Sequence, residues 1–320
     1  MLRRVNVERL QDADMSPPYL NPSHLEAWGT SPVYSMNTDV YQEQSSVEDV
    51  RPIVAEQNVP HKRREPSVVY HHKNYNYSIF TKCAAEILGS LGYVFLGSVA
   101  AYSPILLAGD ALLRTALVYG LIVFTLNATL GHISGGHFNP VISWAATLTG
   151  LLHIFELPFY MVSQLVGALL GSLLSRAVLD AAAFAAINAG AAKLTVDWWQ
   201  GLISEGVVTF FFVQTFLNTV VISDDDDHDR DGGKSSRMGP LALGLTMAMV
   251  VLATGSLTGA SMNPARSVAQ SLMGYAFITP QPDHTWWGYH YIYWAGPYLG
   301  SSIAVGFYWL LQSERRRLLR

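Results

Sequence analysis

Two short stretches constrain this chain more than anything else in it: Ser134-Gly-Gly-His-Phe-Asn139-Pro140-Val141 and Thr258-Gly-Ala-Ser-Met-Asn263-Pro264-Ala265-Arg266. Asn is a favoured helix N-cap and Pro a favoured first helical residue, so each dipeptide reads as a helix start. Both starts lie inside hydrophobic territory. Irregular backbone at membrane depth is tolerated only where it is buried in protein or lines a water-filled cavity. Two buried helix starts therefore point to a passage or a binding site.

The rest of the chain fits a membrane setting. Of its 320 residues, 50% are hydrophobic and 14% charged, against roughly 25% charged in ordinary globular chains. The net charge of -4 sits mainly in the tails and one loop and does not suggest nucleic acid as a partner. Apolar segments near 82–102, 112–132, 154–179, 202–222, 239–257 and 291–311 each approach the ~20 residues that a membrane helix needs. The Asn-Pro stretches after the second and fifth are shorter, about half a span. The expectation is an all-α membrane protein of six transmembrane helices plus two re-entrant half-helices.

Both halves carry the same plan. Glu86 lies in the first segment and Glu205 in the fourth, each fifty-odd residues before its Asn-Pro. Three spans per half force the second copy to insert upside down, an inverted repeat. Lys82, Arg230, Lys234, Arg237 and the Arg315–Arg320 terminus share one side, while Arg114, Arg176 and Lys193 fall on the other. The positive-inside rule then places both termini in the cytoplasm. Residues 1–78, polar and without periodicity, read as a disordered cytoplasmic tail. Residues 79–312 form the channel-like domain, and 313–320 form a basic cytoplasmic end.

An Asn that caps its own helix through the side-chain oxygen keeps an NH2 group with no partner in that helix. If the half-helices enter from opposite faces, two such donors and two positive dipole ends converge at the midplane. A water oxygen accepts there, and a cation is repelled. Arg266, three residues after Asn263, reads as a further donor and cation barrier, since a charge at that depth is functional by default. Glu86 and Glu205 read as acceptors for the re-entrant backbones. His132 and His137 are five apart with no third ligand nearby, so neither metal nor cofactor is expected. Asp224, Asp225, Asp226, Asp227 and His228 make up a dense polar loop, read as a candidate gate responsive to divalent cations or pH.

These motifs closely resemble the aquaporin (major intrinsic protein) family over about residues 80–311, and the long tail and Val141 resemble its fungal members. The resemblance implies a homotetramer with one passage per subunit, conducting water and, at most, small neutral solutes such as hydrogen peroxide or glycerol. It implies no enzymatic activity. Carried over by position, the family's selectivity filter falls on Tyr119, Val251, Ala260 and Arg266, with His137 supporting the first loop. Strict water channels usually have His where this chain has Val251, which widens the constriction. Ser267 and Tyr293-Trp294 follow the water-channel pattern rather than that of glycerol facilitators. An integral protein of the plasma membrane is the expected setting. A coupled secondary transporter of a small neutral solute shares the inverted repeat and is the competing reading. It needs a relay of titratable groups, for which the chain offers only Glu86, Glu205, Arg266 and His137.

Ala260 stands where many members of that family carry the cysteine that mercury blocks, and the one cysteine here is Cys83. Mercuric chloride is therefore expected to inhibit water permeability only weakly; strong inhibition that disappears in Cys83→Ser is the contrary result.

Overall fold

The computed structural model describes residues 77–102, 111–219, 234–282 and 284–318. Residues 1–76 of the tail and the acidic loop with Asp224–His228 lie outside them. The described part is helical throughout: α1 (Ile79–Ala101), α2 (Ala111–Ser134), α3 (Pro140–Leu148), α4 (Leu157–Val178), α5 (Ala181–Ala186), α6 (Trp198–Thr219), α7 (Lys234–Thr258), α8 (Pro264–Phe277) and α9 (Ile292–Leu318). Helices α1, α2, α4, α6 and most of α7 are long and apolar enough to cross a bilayer, and α9 has 27 residues. These are the six expected spans.

The helix boundaries follow from local chemistry. Ser78 caps α1, its hydroxyl accepting from the Thr81 amide at 3.3 Å. Helix α2 ends where Gly135 and Gly136 take φ of 90° and 65°, and α7 ends before Gly259 at 84°. Helix α6 starts at Trp198, four residues before the apolar run suggests. Gln200 Oε1 accepts from the Asp197 amide there and fixes the turn. At the far end α9 continues helically through Leu318, so the basic terminus expected to begin at 313 prolongs the last span.

Helices α3 and α8 have 9 and 14 residues, roughly 14 and 21 Å at 1.5 Å per residue. End to end they amount to one bilayer crossing of ~30 Å. Helix α8 exceeds the expected half span because its last turns are packed. Trp286 donates to the Ser271 carbonyl at 3.0 Å, and its ring lies against Gly274.

The long helices pack as two matched sets. Helix α1 contacts α2 and α4, α6 contacts α7 and α9, and α2 crosses α7 between the sets. The half-helices cross over, α3 against α9 and α8 against α4. Lipid offers no hydrophobic drive to such contacts, so small residues must let backbones touch. Gly171 faces the Leu91 carbonyl of α1 so closely that an added Cβ would sit 2.5 Å from it. Gly300 meets the Gly206 carbonyl of α6 in the same way. The pairs Gly167/Gly171 and Gly296/Gly300, legible in the sequence, mark these two crossings. Gly120 and Gly244 face each other's carbonyls between α2 and α7; their lone positions in sequence give no such sign. Large apolar side chains such as Leu88, Val162, Phe211 and Ile303 remain on the outside, as a lipid or subunit environment requires.

Gly300→Leu is expected to separate α6 from α9, because the obstacle is backbone and not a movable side chain. Overpacking of this kind costs about 1–3 kcal/mol or more. A lowered thermal transition in detergent, with Leu88→Ala as the outward-facing control left near wild type, checks it.

Candidate functional site

The two re-entrant loops are built on one template, offset by 124 positions from Ser134/Thr258 to Ser143/Ser267. Each runs against the normal preference of L-residues. Phe138 has φ of 48°, and Met262 and Ala260 have 51° and 44°, left-handed conformations that cost on the order of 1–3 kcal/mol apiece. Such backbone persists only where its surroundings over-determine it. The carboxylates supply that. Glu86 accepts from the amides of His137 (3.1 Å) and Phe138 (2.7 Å). It also takes the Ser134 hydroxyl at 2.6 Å and Gln164 Nε2 at 2.8 Å. Glu205 accepts from Ser261 (2.9 Å), Met262 (2.8 Å) and the Thr258 hydroxyl (2.6 Å). Tyr160 and Tyr293 donate to the carbonyls of Ser134 and Thr258 at 2.8 and 2.9 Å.

The match between halves ends at Gln164. Its counterpart in α9 is Pro297, so Glu205 has one donor fewer. Gln164 also donates to Ser143 Oγ at 2.8 Å. The same hydroxyl lies 3.0 Å from His137 Nδ1. The ring is wedged between Tyr160 and Phe216. His137 therefore does more than support its loop: its side chain reaches the cavity described below.

Asn139 and Asn263 cap α3 and α8. Asn139 Oδ1 accepts from the Val141 amide at 3.0 Å; Asn263 Oδ1 accepts from Ala265 and Arg266 at 3.1 and 3.2 Å. Their amide groups then cross. Asn139 Nδ2 donates to the Met262 carbonyl at 2.9 Å, and Asn263 Nδ2 to the Phe138 carbonyl at 2.9 Å. Capping logic in the sequence left both NH2 groups without a helical partner. In the structure one proton of each latches the opposite loop, and one remains.

Both Asn side chains line a cavity with Tyr93, Asn127, His137, Phe212 and Phe216, among others. It is narrow: the volume open to water centres is ≈ 20 Å³, and about 10–15 Å³ holds one water. At the other end of α8's first turn Arg266 is buried, 5% exposed. Its Nη1 donates to the Ala260 carbonyl at 3.1 Å, and its guanidinium carbon lies 4.8 Å from the Tyr119 ring centroid. Tyr93 packs against Tyr119 at 5.2 Å. Val251 and Ala260 are buried in the same cluster. In the first half the residue matching Arg266 is Ile142.

Sequence reasoning missed Tyr93, Asn127, Gln164 and Gln270. Tyr93 carries a signal, since it lies two turns after Glu86 on the same face of α1. Gln164 and Gln270 show only as polar residues inside apolar helices. Among the described residues no group of three or more His, Cys, Asp or Glu is arranged to hold a metal ion.

A family model described as "Major intrinsic protein" matches residues 73–308. Aquaporin-8 of Rattus norvegicus is 33% identical over 254 residues, covering 78% of this chain and 89% of that protein. Lens fiber major intrinsic protein of Gallus gallus is 34% identical over 242 residues, 75% and 84% of the two chains. The X-ray structure of the aquaglyceroporin from Plasmodium falciparum superposes with a TM-score of 0.61 at 20% identity, covering 72% of this chain and 96% of that one; this last likeness speaks to the fold.

Replacing either carboxylate by an amide sets an NH2 group against loop donors, and each charge-assisted bond lost is worth about 1.5–3 kcal/mol. Glu86→Gln and Glu205→Gln are both expected to lower the thermal transition, Glu86→Gln more, because it holds four donors against three. Thermal scanning of the purified variants reads this order directly.

Proposed function

This chain belongs to the major intrinsic protein family, and on that premise we propose that it is a passive channel whose selectivity rests on Asn139, Asn263 and Arg266. The substrates are water and small neutral solutes. The observation that carries the reading is the reciprocal bond between the two loops. It holds both Asn amides at the meeting point of two half-helix N-termini, each with one N–H still available. A permeating water oxygen accepts from these donors while the positive ends of α3 and α8 oppose any cation. Oriented so, a water has its protons turned away from the midpoint. The apolar wall of Phe212, Phe216, Leu243 and Met247 offers no polar substitute for a hydration shell, so ions are excluded by desolvation as well.

Tyr119, Val251, Ala260 and Arg266 form the narrow filter, and Tyr93, packed against Tyr119, carries its wall on toward the Asn pair. The guanidinium supplies donors and a fixed positive charge. Val251 leaves more room than an aromatic ring would, which favours passage of hydrogen peroxide and glycerol beside water. Pro140, Val141, Pro264 and Ala265 set the first turns from which the Asn side chains are aimed. Coupled transport finds less support. Both buried carboxylates are fully engaged with loop donors and offer no relay. The apolar outer faces suit a homotetramer in the plasma membrane, and the basic residues at one end suit cytoplasmic termini. Residues 79–312 constitute the channel domain.

Stopped-flow osmotic swelling of proteoliposomes tests this. The full-length protein is expected to pass water well above empty vesicles, and glycerol more slowly. Asn263→Asp keeps the cap, removes a donor and adds negative charge; lost water flux or a new cation leak is expected. Wild-type swelling no faster than that of protein-free vesicles contradicts the channel.

A further inference from the structure

Arg266 is held by more than its own loop. One turn further along α8, the Gln270 Oε1 accepts from Arg266 Nε at 3.1 Å. Gln270 Nε2 in turn donates to Ser98 Oγ of α1 at 2.8 Å. Gln270 and Ser98 are both 0% exposed. The connecting segment before α6 closes over them: a Cβ added at Gly190, where φ is 76°, would lie 2.6 Å from Gln270 Nε2 and 2.7 Å from Ser98 Oγ. The amide therefore has one orientation, because turning it over sets NH2 against the Arg266 Nε–H. With Nη1 on the Ala260 carbonyl, two of the three guanidinium nitrogens are fixed. Tyr93 adds a further side-chain hydrogen bond to the same head group. The first half has nothing like this, since Ile142 and Ala146 occupy the matching positions.

Resting on the channel reading above, we infer that Gln270, clamped by Ser98, is the positioning residue that sets Arg266 across the passage and so decides which neutral solutes pass. An arginine stem is long and has many rotamers. Opposite Val251, which offers it no polar partner, the guanidinium keeps a single place because Gln270 accepts from Nε while the Ala260 carbonyl holds Nη1. Without that acceptor a buried donor is orphaned, and the head group turns toward water in the passage. The constriction then no longer has a fixed width or a fixed donor.

The test compares glycerol and water permeability of the full-length chain in proteoliposomes for wild type, Gln270→Met, Gln270→Glu and Ser98→Ala. Gln270→Met keeps the length and removes the acceptor, and its glycerol-to-water ratio is expected to rise about threefold or more over wild type. Ser98→Ala is expected to move the ratio the same way by less. Gln270→Glu still accepts from Nε and is expected to bring the ratio back toward wild type. A merely structural role for Gln270 would lower both permeabilities together through loss of folded protein and leave their ratio alone. If Gln270→Met does not assemble, Ser98→Ala decides. Unchanged ratios in a wild type and variants that conduct water overturn this inference and leave the channel standing; a wild type that conducts no water overturns both.

Discussion

A backbone N–H with no acceptor in the middle of a bilayer costs several kcal/mol, and this fold brings two irregular loops to that depth. Everything else depends on how those donors are satisfied. Glu86 and Glu205, each fully buried, gather the amides of His137, Phe138, Ser261 and Met262. They thereby hold Phe138 and Met262 in left-handed conformations that neither residue would adopt alone. That twist turns the Phe138 and Met262 carbonyls toward the opposite loop, where the Asn amides find them. A carboxylate in α1 or α6 thus fixes, through two residues of strained backbone, where a donor points in the passage.

The near-equivalence of the halves makes their differences informative. The first half has Gln164, His137 and Ile142 where the second has Pro297, Ser261 and Arg266. The first loop therefore carries an imidazole and the second half a full positive charge. An inverted repeat alone would give a passage with two equivalent mouths. The substituted positions put a buried arginine in the second half and an imidazole at the cavity in the first.

Much of this was legible in the sequence. The Asn-Pro pair, the two glutamates and the six apolar runs sufficed for helix number, inverted repeat and half-helices, because capping and bilayer length are local rules. The Gly167/Gly171 and Gly296/Gly300 spacings point to close helix contacts, and these fall between α4 and α1 and between α9 and α6. What escaped depends on tertiary geometry. The crossed Asn bonds join residues more than 120 apart, and nothing in either loop names its partner. Gln270 reads as an ordinary polar residue until α1 brings Ser98 to it. The length of α8 was underestimated because Trp286, from a later segment, supports its last turns. The acidic loop at 224–228 lies outside the described residues.

The channel reading implies a file of water molecules one wide, handed past two amide donors that the carboxylate-anchored loops hold in place. In such a file each molecule moves only when its neighbours do, so osmotic permeability must exceed diffusional permeability in the same reconstituted vesicles. The ratio of the two, measured by stopped-flow swelling and by isotopic water exchange, is expected to lie well above unity. A ratio at unity, as for water crossing bare lipid, contradicts single-file conduction past Asn139 and Asn263.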